Sequence, residues 1–147
     1  MNRAGKSNID PDIWGPYYWK VFHFTAFGYP NEPTDDDKKA YKDFYLNFSK
    51  ILPCDSCTNA ATREMETTNW EKILSSREVL IRWTYNFHEE VNIKLDKKSP
   101  KFRDFEDNFV NDNMSNYSNK LEHIIIILTV IGAIIFAVFM LRTLDIL

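Results

Sequence analysis

Trp14-Gly15-Pro16-Tyr17-Tyr18-Trp19-Lys20-Val21-Phe22-His23 is the stretch from which the architecture can be read. Trp14, Tyr18, Val21, Phe22 and Thr25 recur at helical spacing and predict a helix from about Pro11 to Gly28. Trp19 and His23 are four apart and so share a helical face. Two flat side chains on one face could hold a flat cofactor ring; plain core packing is the alternative.

Outward from this helix the pattern stays helical. Tyr29-Pro30-Asn31-Glu32-Pro33 stops it. Thr34 is an N-cap signal, with Asp35, Asp36 and Asp37 in the first turn, where the helix dipole favours acids. That second helix is expected to reach about Ile51, presenting Tyr41, Phe44, Tyr45, Phe48 and Leu52, and Pro53 ends it. A third begins at or just after Cys54 and runs to about Thr67. Ser75 and Glu78 match a capping box for a fourth, which carries Val79, Leu80, Trp83, Phe87, Val91 and Leu95. Ser99-Pro100 suits a cap followed by proline at the first helical position. The short fifth helix it opens runs to about Val110 and carries Phe102, Phe105 and Phe109. No strand is convincing and no internal repeat is present, so the expected class is all-α.

From Ile124 to Leu141 no residue is charged. A helix of that length reaches about 27 Å, close to the hydrocarbon thickness of a bilayer. A buried core helix is the alternative, but such a helix would keep a polar face. Asn108 to Asn119 is rich in Asn and Ser and reads as a flexible tether. The expected organisation is a flexible N-terminus over 1–10, a folded domain over 11–107, a polar tether over 108–123, a transmembrane anchor over 124–142 and a short tail over 143–147. Residues 1–10 hold no apolar run, so no secretory signal is expected. Tail-first insertion with the domain facing the cytosol is the expectation. Lys120 and Arg142 flank the apolar run on either side and leave the orientation undecided. The sequons at Asn47, Asn113 and Asn116 would matter only in a secretory lumen. Net charge is −3 and no basic patch interleaves with aromatics, so nucleic acid is not an expected partner.

The only two cysteines are Cys54 and Cys57. A cytosol-facing domain would not keep an ordinary structural disulfide, so Cys54-Asp55-Ser56-Cys57 reads as redox-active or metal-binding. One helical turn places both sulfurs on the same side. A helix N-terminus favours the thiolate, whereas the charge of Asp55 disfavours it. Half a zinc site is one alternative; it would need His23 and His88, which lack finger-like spacing. An inert thiol pair is another. In the fourth helix His88 and Asn92 are four apart, Trp83 precedes them, and Lys94, Lys97 and Lys98 follow. A polar pair on a largely apolar helix wants partners, and the lysines could neutralise a diphosphate. No Gly-rich turn joins a strand to a helix, so a Rossmann site is excluded by pattern.

Taken in order, these pieces resemble the Erv-like FAD-linked sulfhydryl oxidases. The matching elements are Trp14-Gly15-Pro16, Trp19 and His23, then Tyr29-Pro30, then Leu52-Pro53-Cys54 and Cys57. Last come Trp83, His88, Val91-Asn92, Lys94-Leu95 and Lys97. The resemblance implies a four-helix bundle with a short fifth helix and FAD lodged among the helices. It implies that Gly15, Trp19, His23, Trp83, His88 and Asn92 bind the cofactor, with Lys94 and Lys97 near its adenosine and phosphate portion. It implies that Cys57 faces the flavin and Cys54 faces substrate, and that the chain is an enzyme oxidising protein thiols. Molecular oxygen would be the final acceptor and hydrogen peroxide the product. No metal is implied, and a homodimer is. Two features depart from the family pattern. Glu89 follows His88 where the family usually has Asn, so it is not assigned a role. The chain also lacks the shuttle cysteines of many cellular members. It would take electrons directly, from a small Cys-x-x-Cys protein for example. That leaner plan is similar to the thiol oxidases of large cytoplasmic DNA viruses, which implies a viral setting and a viral or virus-factory membrane.

Overall fold

The computed structural model describes residues 9–113, the backbone of 115–121, and residues 122–143. Among these residues every regular element is a helix. They are α1 (Pro11–Phe27), α2 (Asp35–Lys50), α3 (Asp55–Thr67), α4 (Trp70–Ile73), α5 (Arg77–Lys94), α6 (Phe102–Asn113) and α7 (Ser115–Thr143). The chain divides into two compact units, Met1–Ser99 and Pro100–Leu147, rather than closing its domain at residue 107.

The helix starts follow from their caps. The side chain of Asp10 accepts from the Asp12 amide ahead of Pro11, whose missing N–H costs nothing at the first helical position. Thr34 and Asp37 form a reciprocal capping box on α2. The sulfur of Cys54 accepts from the Cys57 amide and so starts α3. The α5 cap is Ser76, not Ser75. Its hydroxyl accepts from Val79 N–H, so Glu78 is not the third helical residue and no reciprocal box forms. The one-turn helix α4 was not legible. It is capped by Asn69 and held by buried Trp70, whose indole N–H donates to Met65 C=O at 3.0 Å.

In the first unit α1 packs on α5 and α2 on α3. The two pairs share an aromatic core. Phe22 lies edge-on to Tyr45 (4.8 Å), Tyr45 meets Trp83 (5.2 Å), and Trp83 meets Trp70 (5.1 Å). Buried tyrosines keep their hydroxyls satisfied by donating to carbonyls: Tyr45 to Phe22 and Tyr29 to Leu74. Burial raises the Tyr45 phenol well above its ordinary range. The Arg77 guanidinium donates to Tyr29 C=O and ties the start of α5 to the α1–α2 turn.

The second unit departs from its expected form. α6 begins at Phe102, two residues past Pro100, and continues to Asn113. The segment expected as a flexible tether, 108–123, is helical wherever it is described. Phe102, Phe105 and Phe109 form a ladder along α6, with centroids 6.4 and 5.9 Å apart. Within α7, Glu122–Thr143 is long and apolar enough to cross a membrane, about 33 Å by rise, and none of it is buried. Most of the expected flexible N-terminus (residues 1–8), and 144–147 of the expected tail, lie outside the described residues.

α5 ends in a left-handed residue, Asp96 (φ 54°), and the Lys97 amide reaches back to Asn92 C=O at 2.8 Å. This is the geometry that favours glycine at such a stop. Asp96→Gly is expected to raise stability by up to about 1 kcal/mol, read as a higher denaturation midpoint in urea; a lower midpoint would contradict it.

Candidate functional site

A cavity of about 650 Å³ opens between α1, α2, α3 and α5. That size falls among small-molecule and cofactor pockets, which run roughly 300–1,000 Å³. Its floor is apolar, with Phe22, Phe48, Ala61, Met65 and Phe87. Its polar groups include Asp12 and Lys20 on α1, Ser49 on α2, Ser56, Cys57 and Glu64 on α3, His88 and Asn92 on α5, and Lys94 and Lys97 where α5 ends.

The cysteines divide across its rim. They are joined as a disulfide with Cα atoms 5.2 Å apart. Cys57 lines the cavity and Cys54 does not. The Ser56 hydroxyl lies 3.2 Å from the Cys54 sulfur, and the Cys57 amide donates to it at 3.3 Å. Both sulfurs sit in the first turn of α3, where free amides and the helix dipole favour negative charge.

The aromatic wall is arranged differently from the expectation. Trp19 stacks on His88, with centroids 3.9 Å apart and planes 12° apart, while His23 is 6.0 Å away. No flat ring can enter between Trp19 and His88; a ligand ring must lie against their outer surfaces. His23 does not line the cavity. It is 4% exposed and sits behind His88, with Nε2 3.0 Å from His88 Nδ1 and Nδ1 3.2 Å from Thr84 Oγ1. Trp83 is not on the lining either. It belongs to the core, 5.6 Å from Phe22 and stacked parallel to Phe87. Its five-residue offset from His88 turns it about 140° around the helix.

Gly15, Trp19, His88, Asn92, Lys94 and Lys97 do line the cavity. Gly15 is buried, yet a β-carbon there would meet nothing within 4 Å, so the glycine faces open volume that a ligand can fill. The Asn92 amide donates to Ser99 Oγ at 3.0 Å, which fixes its orientation. Lys97 pairs with Asp12 at 2.6 Å, so an incoming anion would have to share it. The Glu89 carboxylate accepts from Tyr85 OH at 3.1 Å and is not on the lining. A largely apolar slot with one stacked wall, one side-chain amide and Lys94 and Lys97 at its mouth, with Asp12, Lys20 and Glu64 also on its lining, fits an aromatic dinucleotide. Among the described residues no group of three or more His, Cys, Asp or Glu is placed to hold a metal ion. Lys20, Ala60 and Glu64 also line the cavity. The spacing Cys57, Ala61, Glu64 along one face of α3 was the available signal for that wall.

A helical domain with a Cys-x-x-Cys disulfide at the rim of an aromatic cavity belongs to a narrow class. The Erv1 / Alr family profile matches residues 16–115, and the chain belongs to that family. It is similar to an FAD-linked sulfhydryl oxidase of Acanthamoeba polyphaga mimivirus, 38% identical over 91 residues, which are 61% of this chain and 64% of that protein. It is similar to one from Invertebrate iridescent virus 6, 33% identical over 62% of this chain and 86% of that protein. Among solved structures, the FAD-binding domain of Erv1 from Saccharomyces cerevisiae matches with a TM-score of 0.65 and 31% identity. That match covers 71% of this chain and 97% of that one. The aligned part spans just under two thirds of the mimivirus protein and of a further relative from Invertebrate iridescent virus 3, 64% and 61% of their lengths.

Burial lowers the His23 pKa to about 3, with neighbouring His88 adding to the effect, and burial lowers His88 to about 4. The unfolded chain takes up these protons near pH 6.5 and the folded chain does not. Stability is therefore full above pH 6.5 and falls as pH drops toward about 4, by up to about 1.4 kcal/mol per pH unit for each histidine. Urea midpoints measured from pH 7 to 4 should show this slope, and His88→Gln should reduce it by about half; an unchanged slope would refute the assignment.

Proposed function

We propose that this chain is an FAD-dependent thiol oxidase that makes disulfides in protein substrates. The observation that carries the reading is the disulfide itself, with Cys57 on the cavity wall and Cys54 outside it. A substrate thiolate attacks Cys54 Sγ, a mixed disulfide forms, and Cys57 leaves as a thiolate in the first turn of α3. A second substrate thiolate attacks the substrate sulfur of that mixed disulfide. The substrate departs oxidised, and the Cys54–Cys57 pair holds its two electrons. FAD, when bound, supplies their acceptance from Cys57 and their delivery to molecular oxygen, with hydrogen peroxide as the product.

Gly15, Trp19, His88 and Asn92 hold the aromatic and sugar parts of the nucleotide in this reading. Lys94 and Lys97 meet its adenosine and phosphates. His23 and Trp83 act from behind the wall, by fixing His88 and Phe87. The substrates are protein thiols. In this reading Cys54 takes electrons directly from the substrate, for which a small Cys-x-x-Cys protein is suited. Full-length protein in detergent is expected to be yellow, with a flavin spectrum, and to consume oxygen with dithiothreitol. Cys57→Ser should stay yellow and lose turnover by at least a hundredfold (about 3 kcal/mol of barrier). A colourless protein, or a turning-over Cys57→Ser, would sink the reading.

The architecture is that of a four-helix FAD domain with a short fifth helix, anchored by Glu122–Thr143 as a single membrane span with the domain on the cytosolic side. Support for the anchor is its length and its wholly exposed apolar surface. The membrane in this reading is a viral or virus-factory one, and the viral origin of several relatives supports it. One exposed face of α1 presents Ile13, Tyr17 and Val21, at 64, 71 and 48% exposure. These lie within about 80° of the helix circumference, which suits a homodimer. The expressed chain should sediment with membranes, carry no glycan at exposed Asn47, and run as a dimer in mild detergent. Recovery in the soluble fraction, glycan at Asn47, or a monomer would each overturn its part.

A further inference from the structure

Behind the cavity wall runs a chain of hydrogen bonds whose direction can be worked out atom by atom. Thr84 is fully buried on α5. Its Oγ1 lies 2.8 Å from Ile81 C=O and 3.2 Å from His23 Nδ1. A carbonyl oxygen only accepts, so the single hydroxyl proton goes to Ile81. His23 Nδ1 must then carry a proton and donate to Thr84 Oγ1. A neutral imidazole holds one ring proton, so His23 Nε2 is a lone pair. It faces His88 Nδ1 at 3.0 Å, and His88 Nδ1 must therefore be the donor. His88 Nε2 is left as a lone pair. His88 lines the cavity, and with Nδ1 engaged by buried His23 its Nε2 is the ring nitrogen left to meet a ligand there.

We propose that Thr84 is a positioning residue which, through His23, fixes His88 as the Nδ1–H tautomer, so that the cavity presents a hydrogen-bond acceptor at His88 Nε2 and selects there for a ligand N–H or O–H donor. The lowered basicity of both rings keeps each neutral at pH 7, as the relay requires. The ligand half rests on the proposed flavin nucleotide, whose hydroxyls and ring N–H are donors of the right class. The tautomer half rests on the protein alone. Thr84→Val keeps the volume of the side chain and removes the acceptor. His23 Nδ1–H then loses the acceptor that Thr84 Oγ1 supplied, which favours reversal of the relay. His23 would donate from Nε2 to His88 Nδ1, and His88 would turn a proton toward the cavity.

The test is a long-range 15N–1H correlation spectrum of the full chain in detergent, free of flavin, with His123 assigned by its own substitution. Both His23 and His88 are expected as Nδ1–H tautomers in the parent chain and in Thr84→Ser. Both are expected as Nε2–H in Thr84→Val. An Nε2–H signal from either residue in the parent overturns the proposal without any variant, and so does an unchanged pattern in Thr84→Val. FAD affinity by titration should fall about tenfold in Thr84→Val, the size of one hydrogen bond, and recover in Thr84→Ser. Unchanged affinity with reversed tautomers would overturn the ligand half. Parent chain with the stated tautomers and no FAD binding would sink the oxidase reading and leave the relay standing.

Discussion

The contact between His88 and α1 is the constraint on which the site depends. One face of its imidazole is covered by the Trp19 indole, and one edge is held by His23. The stack and the hydrogen bond both cross from α5 to α1, and both are short. They set the spacing of the helix pair whose far ends carry Asp12 and Lys97. A cavity of this size in a unit of under 100 residues forfeits packing contacts along its walls. The aromatic core on its inner side, from Phe22 through Tyr45 to Trp83 and Trp70, supplies the large buried surfaces that offset that loss.

The helices were largely legible because their starts carry chemistry. Thr34 with three aspartates, and Cys54 after Pro53, announce α2 and α3 in side chains that bond to nearby amides. Where two candidate caps lie side by side the sequence is silent. Ser75 and Ser76 offer the same hydroxyl, and only the folded chain shows that Ser76 accepts from the Val79 amide. α4 is one turn long, too short for periodicity, and only the burial of Trp70 gives it reason to exist. The 108–123 stretch misled because Asn and Ser lower helix propensity by only tenths of a kcal/mol each, which neighbouring helical turns readily override.

The site was legible to the level of residue type and helix face. Gly15, Trp19, Cys57, His88, Asn92, Lys94 and Lys97 line one cavity. His23 and Trp83 share those motifs but stand one layer back. A motif records which residues matter together; it does not record which of them touches the ligand and which touches the residue that does. For Trp83 the angle around α5 already held the answer. For His23 it did not, because the displacing group, His88, comes from another helix 65 residues away.

Cys54 has two occupations at one sulfur. It is half of the disulfide, and it is the atom on which α3 begins. A thiolate is a better acceptor than a disulfide sulfur, so the Cys57 amide and the Ser56 hydroxyl grip Cys54 more strongly once it is reduced and charged. The first turn of the helix is thereby coupled to the oxidation state, tightening with reduction. Any preference it adds for the reduced pair appears as a higher reduction potential for the Cys54–Cys57 couple.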